Sequence, residues 1–179
     1  MSKYILFFIL YLSPSVSKDL IAQNKIKWHS WEEALEKSKK SKKKIFVDIY
    51  TEWCGWCKKM DKTTFADNDI AKYINENYYA VKFDAEMLAP IAIKGTEYKF
   101  VKSGQKGYHE WAAYLLQGRM SYPSMVFLDE EYKIIQAIPG FQDVPTFEKI
   151  ITYFGTDGHK SLPWNKYMSN FNREEYFKK

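Results

Sequence analysis

The chain has 179 residues, 46 % hydrophobic and 18 % aromatic, with a formal charge of +5. That length suits one core of ordinary domain size, and two cysteines confined to one short motif exclude a disulfide framework. Much of the positive charge falls on Lys37, Lys39, Lys40, Lys42, Lys43 and Lys44, on and just after one predicted helix; without base-stacking or groove-entering elements beside it, this run reads as a solvated helix end and not as a nucleic-acid surface.

In chain order, Met1-Ser2-Lys3 is followed by an apolar run from Tyr4 to Leu12 and broken by Ser13-Pro14-Ser15-Val16-Ser17. The run is far shorter than the roughly 20 residues a membrane-spanning helix needs. Residues 1–22 are therefore expected to be a secretory signal cut after Ser17 or Ala22, with an uncleaved anchor as the alternative. Residues 23–179 would then be a single exported domain, periplasmic or secreted. Ser30-Trp31-Glu32-Glu33 has the form of a capping box opening a helix to about Ser41. Lys44-Ile45-Phe46-Val47-Asp48-Ile49-Tyr50 predicts a buried strand, β-branched and aromatic but for one carboxylate. A helix follows the cysteines, and Asp67-Asn68-Asp69 opens another to about Asn77.

Further strands are expected near 79–84, 124–129 and 133–138, the last two joined by a turn at Glu130-Glu131. Between them, residues 85–122 form an insert. Its 99–107 stretch reads as loop or short irregular strand, and Tyr108 to Leu116 as a helix carrying Trp111, Leu115 and Leu116. His109 and Glu110 read as solvent-facing on a polar helix end. Pro145 opens a last core helix with Phe147, Ile150, Ile151 and Phe154 on one face. The tail from Leu162 to Phe177 has Trp164, Tyr167, Met168 and Phe171 at helical spacing and is expected to pack on the core. This order indicates an α/β sheet layered by helices.

The chemistry lies in Trp53-Cys54-Gly55-Trp56-Cys57, where a strand passes into a helix. The first turn of a helix has unpaired N–H groups and the positive end of the macrodipole, so a thiolate at its start is stabilised. Cys54 is thus expected to attack a substrate disulfide. Cys57, one turn further in and less exposed, is expected to resolve the mixed disulfide. A zinc site needs about four ligands, and no second cysteine pair supplies them. The expectation is a protein with no metal and no cofactor.

From Phe46 through Cys57 to Phe65, the chain resembles the active-site strand and helix of the thioredoxin family. It is similar to the thioredoxin-like domains of bacterial envelope reductases, including the C-terminal domain of the transmembrane thiol:disulfide interchange protein. The resemblance covers roughly 30–154, the insert excepted. It implies a thioredoxin-like fold, a central mixed β-sheet flanked by helices, with an insertion before the cis-proline and a C-terminal extension over 155–179. It also implies a buried acid at Asp48, six residues before Cys54, to take the Cys57 proton through water, with Lys82 in the place of the acid's partner. Pro123 would be cis, presenting backbone of Ser121 and Tyr122 to a substrate strand, and Gly140 would follow the next strand. The chain departs in its Gly-Trp dipeptide, which leaves the reduction potential open, and in the length of the insert, which is expected to restrict which substrates reach Cys54.

The leading reading is an exported thiol–disulfide oxidoreductase, a monomer that reduces protein disulfides and draws electrons from a membrane or envelope donor. One alternative is a peptide-binding or chaperone module that grips clients with Trp53, Trp56 and Tyr122. Another is a metal-handling protein holding a soft ion such as Cu(I) on its thiols.

Overall fold

Ile45, Val47 and Ile49 join one buried cluster, whereas Phe46 joins another, so consecutive side chains of this strand serve opposite faces of a sheet covered on both sides. The computed structural model describes residues 25–177, and the leader expected over 1–22 lies outside them.

The elements run β1 (Trp28–His29), α1 (Trp31–Lys40), β2 (Lys44–Tyr50), α2 (Gly55–Lys62), α3 (Asn68–Asn77) and β3 (Tyr78–Asp84). The insert contributes β4 (Ile91–Ile93), β5 (Thr96–Tyr98), β6 (Phe100–Ser103), β7 (Lys106–His109) and α4 (Glu110–Leu115). The core resumes with β8 (Ser124–Leu128), β9 (Ile134–Pro139) and α5 (Val144–Gly155), and the chain continues into α6 (Gly158–Ser161), α7 (Trp164–Asn170) and α8 (Arg173–Tyr176). The main sheet has the order β1-β3-β2-β8-β9; β1, β3 and β2 are parallel, while β8 and β9 are antiparallel to their neighbours. This is a thioredoxin-like α/β fold with a central mixed sheet between helices and extra C-terminal helices.

Phe46, Met60, Phe65, Phe127 and Phe147 form the centre of one core, under α2, α3 and α5, and Tyr167 and Phe177 of the tail join it. Trp31, Val47, Val81, Trp111, Leu115 and Val126 form the other, under α1 and the insert. Each fully buried side chain of this size stabilises the fold by about 1.5–3 kcal/mol. At the start of α1 the capping box is complete: the Glu33 N–H donates to Ser30 Oγ at 3.2 Å, and the Ser30 N–H to the Glu33 carboxylate at 3.0 Å.

Several expectations change. The 85–109 part of the insert is two β-hairpins, β4–β5 and β6–β7, reversing through Gly95 and Gly104, both at positive φ. His109 is fully buried, not solvent-facing. Lys44 is also buried, within β2, because Glu130 and Asp157 meet its ammonium at 3.1 and 3.0 Å; only the lysines before it form a solvated helix end. The tail from Leu162 to Phe177 forms two short helices, α7 and α8, interrupted at Phe171-Asn172. The strand β1, too short to signal itself, was not anticipated.

Candidate functional site

The β2–α2 junction presents the cysteines. Cys54 is the N-cap of α2: its Sγ accepts the Cys57 N–H at 3.0 Å, and its carbonyl accepts the Lys58 N–H at 3.2 Å. A thiolate at this atom would receive the same N–H at the positive end of the helix, the arrangement that lowers a cysteine pKa. Cys54 and Cys57 are joined as a disulfide with their Cα atoms 5.3 Å apart. The expected difference in exposure is absent, since Cys54 is 4 % and Cys57 3 % accessible. Position on the helix, not exposure, distinguishes them.

Asp48 shares the face of β2 that carries Phe46, the face α2 covers through Met60. Its carboxylate is buried: Oδ2 accepts from Lys82 Nζ at 3.2 Å, and Oδ1 has no partner among the described residues. Lys82 stands opposite Asp48 in the β2–β3 register. Burial pushes the Asp48 carboxyl up to about 6, against the opposing pull of Lys82. Asp61 on α2 also holds Lys82, and the ammonium lies over the rings of Trp28 and Tyr50 at 5.2 and 5.1 Å. Asp61 did not emerge from the sequence, although it stands at i+4 from Cys57 and so on the same helix face.

Two tryptophans flank the pair, both oriented despite their exposure. Trp53, 60 % exposed, donates from Nε1 to both carboxylate oxygens of Glu86 at 3.1 Å, meets Tyr122 edge-on at 5.8 Å, and carries Lys106 Nζ 5.4 Å from its ring. Trp56 packs on Phe141 at 5.4 Å, with Lys59 over both rings at 4.7 and 5.0 Å. Glu86, Lys106 and Phe141 are distant in sequence, and no local pattern announces them.

The Tyr122–Pro123 peptide bond is cis. Pro123 is buried, and its carbonyl accepts the N–H of Gly140, a residue at φ +87° that a side chain would strain. Ser121 is exposed, but its carbonyl is taken by Ser124 Oγ at 2.7 Å. A carbonyl has two lone pairs, so this one keeps an acceptor position besides that bond. The structure thus brings Asp48 and Lys82 together, and sets Trp53 on Tyr122 beside the cysteines.

A five-stranded mixed sheet, a Cys-x-x-Cys pair capping the helix after its central strand and a cis-proline before β8 define a thioredoxin-fold protein. The family profile described as "Protein of unknown function, DUF255" (Thioredox_DsbH) matches residues 11–154. The chain belongs to that family. It is similar to the disulfide bond reductase DsbH of Chlamydia pneumoniae, at 27 % identity over 114 residues covering 63 % of this chain and 62 % of that protein. An uncharacterized protein of Caenorhabditis elegans is 39 % identical over 66 residues, 36 % of this chain, but the match spans only 9 % of that protein. Among solved structures, a DsbH oxidoreductase has a TM-score of 0.52 at 18 % identity, covering 85 % of this chain and 95 % of that one. A thioredoxin from Thermus thermophilus has a TM-score of 0.54 at 15 % identity, covering 77 % and 98 %. These structural likenesses establish the fold.

Proposed function

We propose that the chain is an exported thiol:disulfide oxidoreductase that reduces protein disulfides with Cys54 and Cys57. The observation that carries this reading is the placement of Cys54 Sγ as the N-cap acceptor of α2, 3.0 Å from the Cys57 N–H. In the reduced protein the Cys54 thiolate attacks one sulfur of a substrate disulfide, and the other sulfur leaves as a thiolate that takes a proton. Cys57, deprotonated by Asp48 through water, then attacks Cys54 Sγ. The second substrate sulfur leaves, and the protein ends as the Cys54–Cys57 disulfide. Two electrons pass to the substrate, and a dithiol donor of the membrane or envelope returns them. The likeness to a protein named as a disulfide bond reductase supports reduction as the direction. In this reading residues 1–22 are a signal, 23–179 act as one monomeric domain, and Pro123, Tyr122, Trp53 and Trp56 border the substrate.

Insulin reduction by the 23–179 protein, with Cys54→Ser and Cys57→Ser controls, tests the proposal. Turnover lost in both variants is the expected result; turnover absent from the parent overturns it. The exposure of Trp53 and Trp56, at 60 % and 57 %, favours client binding as the second reading. Chaperone-like suppression of aggregation that survives both serine variants would favour it.

A further inference from the structure

The β6–β7 hairpin pairs only with itself, yet it is clasped to the rim of the site. The His109 N–H donates to the Ala85 carbonyl at 2.6 Å, just past the end of β3, and the Glu110 N–H to the Lys99 carbonyl at 2.9 Å. Between the hairpin and Trp53 runs an open groove of about 490 Å³, with Glu86, Leu88, Phe100, Lys102 and Lys106 on its walls.

The groove has an apolar floor. Trp53 is 60 % and Leu88 73 % exposed, an unusual concentration of bare apolar surface beside a disulfide. Phe100 completes it from the hairpin, its ring lying on the backbone of Gly107. A Cβ on Gly107 would come within 2.0 Å of Phe100 Cζ and 2.6 Å of the Val101 carbonyl oxygen, so only glycine lets the ring lie there. The hairpin wall is cationic: among the described residues neither Lys102 nor Lys106 has a carboxylate within ion-pair distance. The opposite wall holds Glu86, whose two oxygens both receive Trp53 Nε1. Trp53 immediately precedes Cys54, so one wall of the groove adjoins the redox pair.

We propose that this groove is a substrate subsite for the extended polypeptide flanking the target cysteine, and that it selects segments pairing an acidic residue with an apolar one. This rests on the oxidoreductase reading above. The apolar side chain lies on Trp53, Leu88 and Phe100, and the carboxylate meets Lys102 and Lys106. Two exposed ion pairs contribute about 0.2–1 kcal/mol each, so the selectivity is on the order of fivefold.

The test uses two synthetic peptide disulfides that differ only in Glu-Leu or Lys-Leu beside the cysteine. The parent should reduce the Glu peptide with about fivefold higher kcat/KM, and the preference should fade in 0.5 M salt. In the Lys102→Glu/Lys106→Glu protein the ratio should invert. Because the ratio is internal to each protein, any effect of the substitutions on the cysteines cancels. Gly107→Ala, which displaces Phe100, should cost a Leu-bearing peptide about threefold relative to its Ala counterpart. A ratio near one in the parent, or one unmoved by charge reversal, overturns the subsite. Reduction of 2-hydroxyethyl disulfide by the parent separates the two proposals: its absence sinks the oxidoreductase reading. In that case binding of the same peptides with Ser for Cys, followed by tryptophan fluorescence, still decides the groove. Fivefold tighter binding of the Glu peptide supports it, and equal binding overturns it.

Discussion

The β2–α2 junction and the 85–122 insert border the same disulfide but are held by different forces. β2 is paired along its length with β3 on one side and β8 on the other, and its side chains are packed on both faces. The insert's hairpins pair only within themselves. What fastens them is a small clasp. His109 Nδ1 accepts the Trp111 N–H at 3.1 Å, its Nε2 meets the Ala89 carbonyl at 3.2 Å, and Trp111 lies edge-on to Trp31 at 4.9 Å. The redox pair is thus built at the end of a sheet strand, while a separately fastened piece lines the groove beside it. Such an arrangement lets selectivity vary without moving the reacting atoms.

The largest effect belongs to the junction. Cys54→Ser should abolish turnover of peptide and small disulfides alike, and Cys57→Ser should accumulate a mixed disulfide through Cys54, read by non-reducing gels and mass spectrometry. Trapping through Cys57 instead would reverse the assignment of nucleophile. Next is the clasp. His109→Ala leaves the buried Trp111 N–H without a partner, worth about 1–3 kcal/mol, while the exposed Ala89 carbonyl can turn to water. Amide exchange in β6 and β7 should accelerate by an opening free energy lower by about 1–3 kcal/mol, with β2 unaffected. Equal acceleration in β2 would mean that the two regions open as one unit.

Asp48 is the third. A carboxyl held at about 6 binds its proton more tightly folded than unfolded, so stability falls as pH rises from the ordinary carboxylate range toward 6, and the deficit is complete above that. Asp48→Asn should therefore be more stable by roughly 2–3 kcal/mol above pH 6, and nearly neutral below pH 4. Turnover at neutral pH should fall at least about tenfold for want of a base. Denaturant midpoints that move equally at both pH values would contradict the buried charge. The smallest effect is His109 itself. Burial holds its pKa below the ordinary value, so the neutral ring stabilises the fold fully above about 6.5, and that contribution is lost as pH falls below it. Protection in the hairpins of the parent should weaken between pH 7 and 5.5; no change would leave His109 without this role.

Legibility in the sequence follows the same division. The strand, the helix after it, and the acid six residues before Cys54 are written in consecutive residues, where periodicity and spacing report local geometry. The burial of His109 depends on the Ala85–Ala89 segment some 20 residues earlier, and that of Lys44 on Glu130 and Asp157 far along the chain. Neither dependence leaves a local trace. The hairpins did leave a trace, in Gly95 and Gly104, but strands of three or four residues are too brief for alternation to separate them from loop. Asp61 lies at helical spacing from Cys57, but no local pattern marks it as the second carboxylate on Lys82.

The C-terminal helices have a consequence for where this protein ends as a folding unit. Arg173 reaches back to Glu148, buried on α5, with Nε 2.8 and 3.0 Å from its two oxygens, and to Asp69 on α3 at 2.6 Å. Tyr167 gives its hydroxyl to Thr152 at 2.8 Å, and Tyr153 gives its own to the Leu162 carbonyl at 2.7 Å. The family signature stops at residue 154, after Asp69, Glu148, Thr152 and Tyr153 but ahead of their partners Arg173, Tyr167 and Leu162. A fragment trimmed to that signature would lose the guanidinium from Glu148 and Asp69 and, with Tyr167 and Phe177, the tail's share of the core. The family pattern and the packed unit of the described residues therefore have different boundaries.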